Sequence, residues 1–214
     1  MIASTLPPLA SDTAVTLIGG PARVGKTTLA RRWIAHRTVE FMHLDHFLEA
    51  LKATATGDAL RALRLAPCIA TYSPTEWLAQ LRVRDEAMWR SAKAYANKAP
   101  GPLVMEGGLW PDFVSRLERE HLAIFVIDTG ADMADRLVDI TRSDPESWMA
   151  QRGWSEDKIR KWATYNRFRS EFIANLATRH GYPVFDIASG IADVQDQALQ
   201  YLDNATTPSE PILL

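Results

Sequence analysis

The sequence predicts an α/β fold in three layers: a five-stranded parallel sheet with helices on both faces. Three observations carry that prediction. Five short apolar runs are separated by helix-like sequence, the pattern of strands buried on both faces. They are 14–19 (AVTLIG), 39–44 (VEFMHL), 102–107 (PLVMEG), 122–128 (LAIFVID) and 182–187 (YPVFDI). A glycine-rich stretch, IGGPARVGKTTLARRW at 18–33, joins the first run directly to a basic helix. The length of 214 residues, 47% hydrophobic and 9% aromatic, suits one sizeable core better than two.

The first element is the most specific. Gly20, Gly25, Lys26 and Thr27 satisfy G-x-x-x-x-G-K-[Ser/Thr], between an apolar strand and a helix beginning near Lys26. This arrangement aims successive backbone N–H groups and a helix N-terminus at phosphate oxygens. Glycine is required where a side chain would block the backbone's approach. Lys26 is a point charge for the terminal phosphates, and the Thr27 hydroxyl is placed to ligate Mg²⁺. With Ala22, Arg23, Val24 and Thr28 these residues form the expected nucleotide cradle. Motif and context together predict a three-layer P-loop NTPase fold; the bland alternative is an ordinary glycine-rich turn. The basic "ARR" that follows is expected to face solvent.

Composition excludes other classes. A formal net charge of −2 gives no basic excess for nucleic acid, so a small anion is the easier partner. No stretch approaches the ~18 apolar residues of a membrane span, and no charged start followed by an apolar run marks a signal peptide. The single cysteine, Cys68, cannot form an internal disulfide. The expectation is a cytoplasmic protein, monomer or homodimer, without nucleic-acid or membrane partners. Met1 to Ser11 and the segment from Asp203 onward have poor periodicity and several prolines, and are expected to be loose tails.

The remaining strands narrow the nucleotide chemistry. A guanine-specific switch needs Asn-Lys-x-Asp, and NKAP (97–100) lacks the aspartate; a motor ATPase usually ends its second motif strand in two acidic residues, whereas LVMEGG has one, Glu106. Asp45 follows the second strand, nineteen residues beyond Lys26, where ligands of open α/β sheets bind. There it could accept an acceptor's proton or hold the hydroxyl in line; the alternative is an N-cap of the helix HFLEALKA. His43 and His46 flank it, but two imidazoles alone are weak evidence for a metal. Glu106 stands beside two glycines that leave room for a ligand; the bland alternative is a carboxylate accepting backbone donors from its loop. Pro111 suits the first turn of a helix PDFVSRLERE, and Trp110 just before it either walls the acceptor pocket or packs.

Two long helices place polar residues inside apolar arcs. The first opens with a capping box, Ser73 and Glu76, with Pro74 in its first turn. At about 100° per residue, Trp77, Leu81, Met88, Ala92 and Tyr95 share one arc, with Asp85 inside it and Arg84 at its edge. Both are candidate substrate contacts or an ion pair. The second helix opens at Ser155 and closes at Gly181. Its arc holds Trp162, Tyr165, Phe172, Ile173, Leu176 and Ala177, with Arg169 in the middle and Asn166, another candidate substrate contact, inside it; Arg167 points out. An arginine on a buried face requires an anion, either a phosphate or a side chain such as Asp128.

These features together resemble the small P-loop kinases of metabolites and nucleosides, on three stretches: GGPARVGKTTLARR, HLDHFLEAL around Asp45, and LVMEGG with Glu106. DHF at 45–47 looks like the element that, in uridine kinase-like and nicotinamide riboside kinase-like enzymes, sits beside the acceptor hydroxyl. The segment RVRDEAMWRSAKAY through GPLVMEGGLWPDFV is also similar to 2-phosphoglycerate kinase-like and zeta toxin-like proteins. The resemblance implies ATP and Mg²⁺ as cofactors, a Glu106 carboxylate that reaches the metal through water or contacts substrate, and a mobile helical lid whose arginines close over the phosphates. Arg142, Arg152 and Arg169 then become lid candidates, with Arg142 in the position that stacks on the base and Arg136 in reserve. Each alone could equally be a surface or ion-paired residue.

The whole implies one domain: phosphate loop and base strand at 12–45, an acceptor-side insertion at 46–101, core at 102–141, lid and helix at 142–180, and the last strand and helix at 181–202. The expected activity is ATP- and Mg²⁺-dependent phosphorylation of a small hydroxyl-bearing molecule such as a nucleoside, sugar-like metabolite or antibiotic. A zeta toxin-like nucleotide-sugar kinase and an ATP-hydrolysing regulator without a small-molecule acceptor are the alternatives.

Overall fold

The computed structural model describes residues 14–206. All five expected strands are present: β1 (Val15–Gly19), β2 (Glu40–His43), β3 (Leu103–Gly107), β4 (His121–Ile127) and β5 (Val184–Asp186). They form one parallel sheet in the order β2-β3-β1-β4-β5. Parallel neighbours need crossovers, and the helices supply them: α1 (Lys26–Ile34), α2 (Leu44–Thr54), α3 (Gly57–Leu63), α4 (Pro74–Ala96), α5 (Pro111–Val114), α6 (Met133–Ser143), α7 (Trp148–Gln151), α8 (Glu156–Arg179) and α9 (Ile191–Thr206).

Successive strand residues point to opposite faces, which divides the core in two. Ile18 and Ile124 pack with Leu29 and Trp33 of α1 and Val194 and Leu202 of α9. Leu17 and Phe125 pack on the other face with Trp77 and Met88 of α4 and Ile173 of α8. The central strands are continuous apolar runs because both faces are covered.

The capping signals are realised. Ser73 and Glu76 form a reciprocal capping box at α4, Ser155 accepts from Lys158 N–H at α8, and Gly181 takes a positive φ of 74° just beyond the end of α8. Three local expectations change. The helix begun by Pro111 stops at Val114, because β4 must start at His121 to pair with Val15. Asp203–Thr206 continue α9, where buried Leu202 anchors the last turns, against the looseness expected from Asp203 onward; residues 1–13 and 207–214, including Met1 to Ser11, lie outside the described residues. Tyr95 and Phe172 lie on the predicted apolar arcs but are exposed, Tyr95 in the last turn of α4 and Phe172 in the second half of α8.

Candidate active site

The carboxyl ends of β1, β2 and β3 meet in register, with Gly19 beside Gly107 and His43 beside Glu106. Chain direction therefore places the phosphate loop, Asp45 and Glu106 at one edge of the sheet. Gly20 has φ 137°, and a Cβ there would lie 1.9 Å from the Val126 carbonyl oxygen, so no side chain is tolerated. Gly25 is the left-handed N-cap of α1, with φ 82°. Its own Cβ would press on buried Gln195 of α9. Thr28, Arg31 and Arg32 are exposed, the two arginines as expected.

Lys26 is buried and donates to the Pro21 carbonyl within the loop. Burial lowers its ammonium to about 8; Glu106 and then Asp45 oppose this, and Arg169 pushes it further down. The loop is held from outside by α8: Asn166 Nδ2 donates to the Ala22 carbonyl at 2.9 Å. Asn166, the candidate substrate contact, is buried and commits its amide nitrogen to that carbonyl, so it grips the loop. Arg23, in a left-handed conformation with φ 66°, stacks over Trp148 of α7.

Glu106 is 1% exposed, and its Oε1 accepts from Thr27 Oγ1 at 2.9 Å. The same oxygen contacts His43 Nε2 at 3.0 Å, while His43 Nδ1 accepts from the Asp45 N–H at 3.2 Å. Those contacts assign the neutral tautomer: Nε2 carries the proton and donates to Glu106. His43, not Asp45, is thus the N-cap of α2, and Asp45 sits in the first turn with its carboxylate exposed. That removes the cap-only account of Asp45. His46 stacks on His43, with ring centroids 4.4 Å apart and 18° between planes. The chain's hydroxyl and carboxylate at Thr27 and Glu106 fit a hard divalent cation, which takes its other ligands from water and phosphate oxygens. Among the described residues no group of three or more His, Cys, Asp or Glu could hold a metal by itself.

A second cluster sits beside Gly108. Asp85 of α4 is 3% exposed and accepts four bonds. Arg84 Nε and Nη2 reach its Oδ1 at 2.9 and 2.7 Å; Trp110 Nε1 and Arg169 Nη2 reach its Oδ2 at 2.9 and 3.1 Å. The buried partner of Arg169 is therefore Asp85; Asp128, the partner suggested by sequence, is held by Arg136 instead. Trp110 is 0% exposed, so it packs beneath the site and does not wall a pocket. Burial lowers the Arg169 guanidinium, Asp85 opposes this, Arg84 adds to it, and Asp45 opposes it weakly.

The arginines expected in a lid are dispersed. Arg142 is exposed and bonds Glu156 Oε2 at 2.6 Å; Arg152 is exposed and stacks on Trp148. α7 is anchored by buried Met149 and by the indoles of Trp148, Trp154 and Trp162, which meet edge to face. Arg136, the reserve candidate, lines a cavity of about 260 Å³ next to the loop, with Arg23, Leu137, Ile187 and Ile191. It is fixed there by Asp128 and Asp132. Sequence alone offers His43 only as weak evidence for a metal, because its carboxylate partner, Glu106, lies on another strand. Arg142 has its expected place from a resemblance in position, whereas the packing of α6 turns Arg136 toward the cavity beside the loop.

No protein-family profile matches the chain, and no curated protein matches it in sequence. Solved structures do. A shikimate kinase from Bacteroides thetaiotaomicron is 15% identical, with a TM-score of 0.53 over 89% of this chain and 98% of that one. A shikimate kinase from Acinetobacter baumannii in complex with shikimate is 16% identical, with a TM-score of 0.53 over 92% of this chain and 97% of that one. The chain shares the α/β fold of these small P-loop kinases. Among the described residues no helix is long and apolar enough to cross a membrane.

Proposed function

We propose that this protein is an ATP- and Mg²⁺-dependent phosphotransferase that phosphorylates a hydroxyl of a small molecule such as a nucleoside, sugar-like metabolite or antibiotic. The observation that carries the reading is the meeting of Lys26, Thr27, Glu106 and exposed Asp45 at the carboxyl ends of three adjacent strands. A likeness in fold to proteins named shikimate kinases supports it.

Phosphoryl transfer asks the protein for positioning and charge, with little covalent work. The loop backbone and Lys26 cradle the terminal phosphates, and the base enters the cavity beside Arg136. Thr27, with Glu106 beside it, would hold Mg²⁺, which would supply charge neutralisation on the phosphates. Asp45 accepts the acceptor hydroxyl's proton or holds that hydroxyl in line. Its exposed carboxylate is open to a diffusing acceptor, and the His43 cap fixes the first turn that carries it. Arg169, held by Asp85 beside Gly108, adds a cation whose charge acts on Lys26.

The test follows ATP turnover with Mg²⁺ against pools of hydroxyl-bearing metabolites and recovers the phosphate. One acceptor should accelerate turnover and carry the phosphate, and Asp45→Asn should cut that transfer at least tenfold with ATP affinity kept within threefold. Turnover indifferent to every small molecule but changed by a protein partner would support the regulator instead. An Asp45→Asn variant that transfers at the normal rate would remove the assigned role of this carboxylate.

A further inference from the structure

We infer that Asp85 is a positioning residue for phosphoryl transfer, whose buried carboxylate fixes Arg169 as a static cation at the carboxyl end of β3, beside Gly108, and that it makes no contact with the acceptor. The inference rests on the phosphotransferase reading above.

A carboxylate has about four lone-pair sites, and four donors already fill those of Asp85: two from Arg84, one from Trp110 and one from Arg169. Nothing remains for an acceptor hydroxyl, and at 3% exposure the group is out of its reach. Arg169 is equally confined. Its guanidinium lies over the Trp110 ring, 4.9 Å from the centroid, and beside Gly108, so it has no path for swinging in from solvent as a lid arginine would.

Charge explains what the cluster is for. Two guanidiniums share one carboxylate, which leaves a net positive charge, and Arg169 Nε is buried with no partner among the described residues. A buried guanidinium that shares its one carboxylate with a second arginine, and keeps a donor unpaired, is only partly compensated, and an arriving anion completes it. Arg169 lies against Gly108, which follows Gly107, the neighbour of Gly19 at the head of the phosphate loop, and it is about one turn along α8 from Asn166, which holds the Ala22 carbonyl; that place makes the phosphoryl group passing between donor and acceptor the anion it meets. A fixed cation aimed at developing charge needs no reorganisation during the reaction. Gly108 belongs to the same device: a methyl there would sit 3.2 Å from Arg169 Nη2 and press the guanidinium aside.

The test is a double-mutant cycle read on Mg²⁺-ATP hydrolysis by the full chain, with ADP affinity measured alongside. Asp85→Asn should lower kcat at least tenfold while KM for ATP and Kd for ADP stay within threefold. Arg169→Lys should do the same, and the double variant should fall within twofold of Arg169→Lys alone, because the carboxylate acts only through the arginine. Gly108→Ala, which keeps every charge, should lower kcat several-fold at unchanged ADP affinity. Losses that multiply in the double variant overturn the proposal, as does a wild-type kcat in Asp85→Asn. Wild-type kcat in Gly108→Ala overturns it even where Asp85→Asn fails to fold. A wild-type protein that binds no ADP and hydrolyses no ATP overturns the phosphotransferase reading and this proposal with it; the outcomes above overturn this proposal alone.

Discussion

Replacing Lys26 by Met should destroy activity and stabilise the protein. The ammonium is buried, and burial lowers it from its ordinary 10.5 to about 8. At about 1.4 kcal/mol per pH unit, the folded chain carries a penalty of about 3 kcal/mol at neutral pH. Methionine has similar length and no charge; it forfeits the bond to the Pro21 carbonyl, which costs about 1 kcal/mol. The net gain is about 2 kcal/mol, or roughly 4–8 °C in Tm for a chain of this size. The sign with pH is fixed by linkage. Between about 8 and 10.5 the unfolded chain holds a proton that the folded chain has released, so wild-type stability contributed by Lys26 rises across that window. The advantage of Lys26→Met is therefore full at pH 7 and falls by most of its value near pH 10. Urea denaturation of both proteins at the two pH values measures it, since other titrating groups are shared and cancel. A variant less stable than wild type at pH 7, or an equal difference at both pH values, would refute this.

Arg142→Ala should leave Tm and transfer rate unchanged, since its exposed pair with Glu156 is screened by solvent; a tenfold loss of transfer would restore Arg142 to the site. His43→Asn should keep the α2 cap, because asparagine caps well, but cannot reach Glu106; the Mg²⁺ concentration for half-maximal turnover should rise several-fold with Tm nearly unchanged. An unchanged Mg²⁺ requirement would show that Glu106 needs no holding by His43.

The strands and the loop were legible because their signals are local. Apolar runs buried on both faces, glycines where a Cβ cannot fit, and a capping box all act within a few residues. The helical arcs were legible too: periodicity put Asp85 and Arg169 on buried faces before any packing was known, and both are buried. Which of them meets which depends on how α4 and α8 are laid against the sheet, and no spacing in either helix encodes that. Asp128 was as reasonable a partner as Asp85 on charge alone; the observed Arg136–Asp128 pair decides against it. His43 was hidden for the same reason. Its role comes from a strand register, His43 beside Glu106, that joins residues 63 positions apart.

One helix deserves a last consequence. Asn166, which grips the phosphate loop, and Arg169, which is bonded to Asp85, are three residues apart on α8 and so occupy the same face about one turn apart. That helix is closed at both ends, by Ser155 and by the turn at Gly181. The spacing between the two grips is thereby set by helical pitch, a covalent ruler of about 5 Å, and not by the settling of two independent loops. The phosphate loop and the Asp85 cluster share a single gauge, and a substitution that rotates α8 would misplace both together.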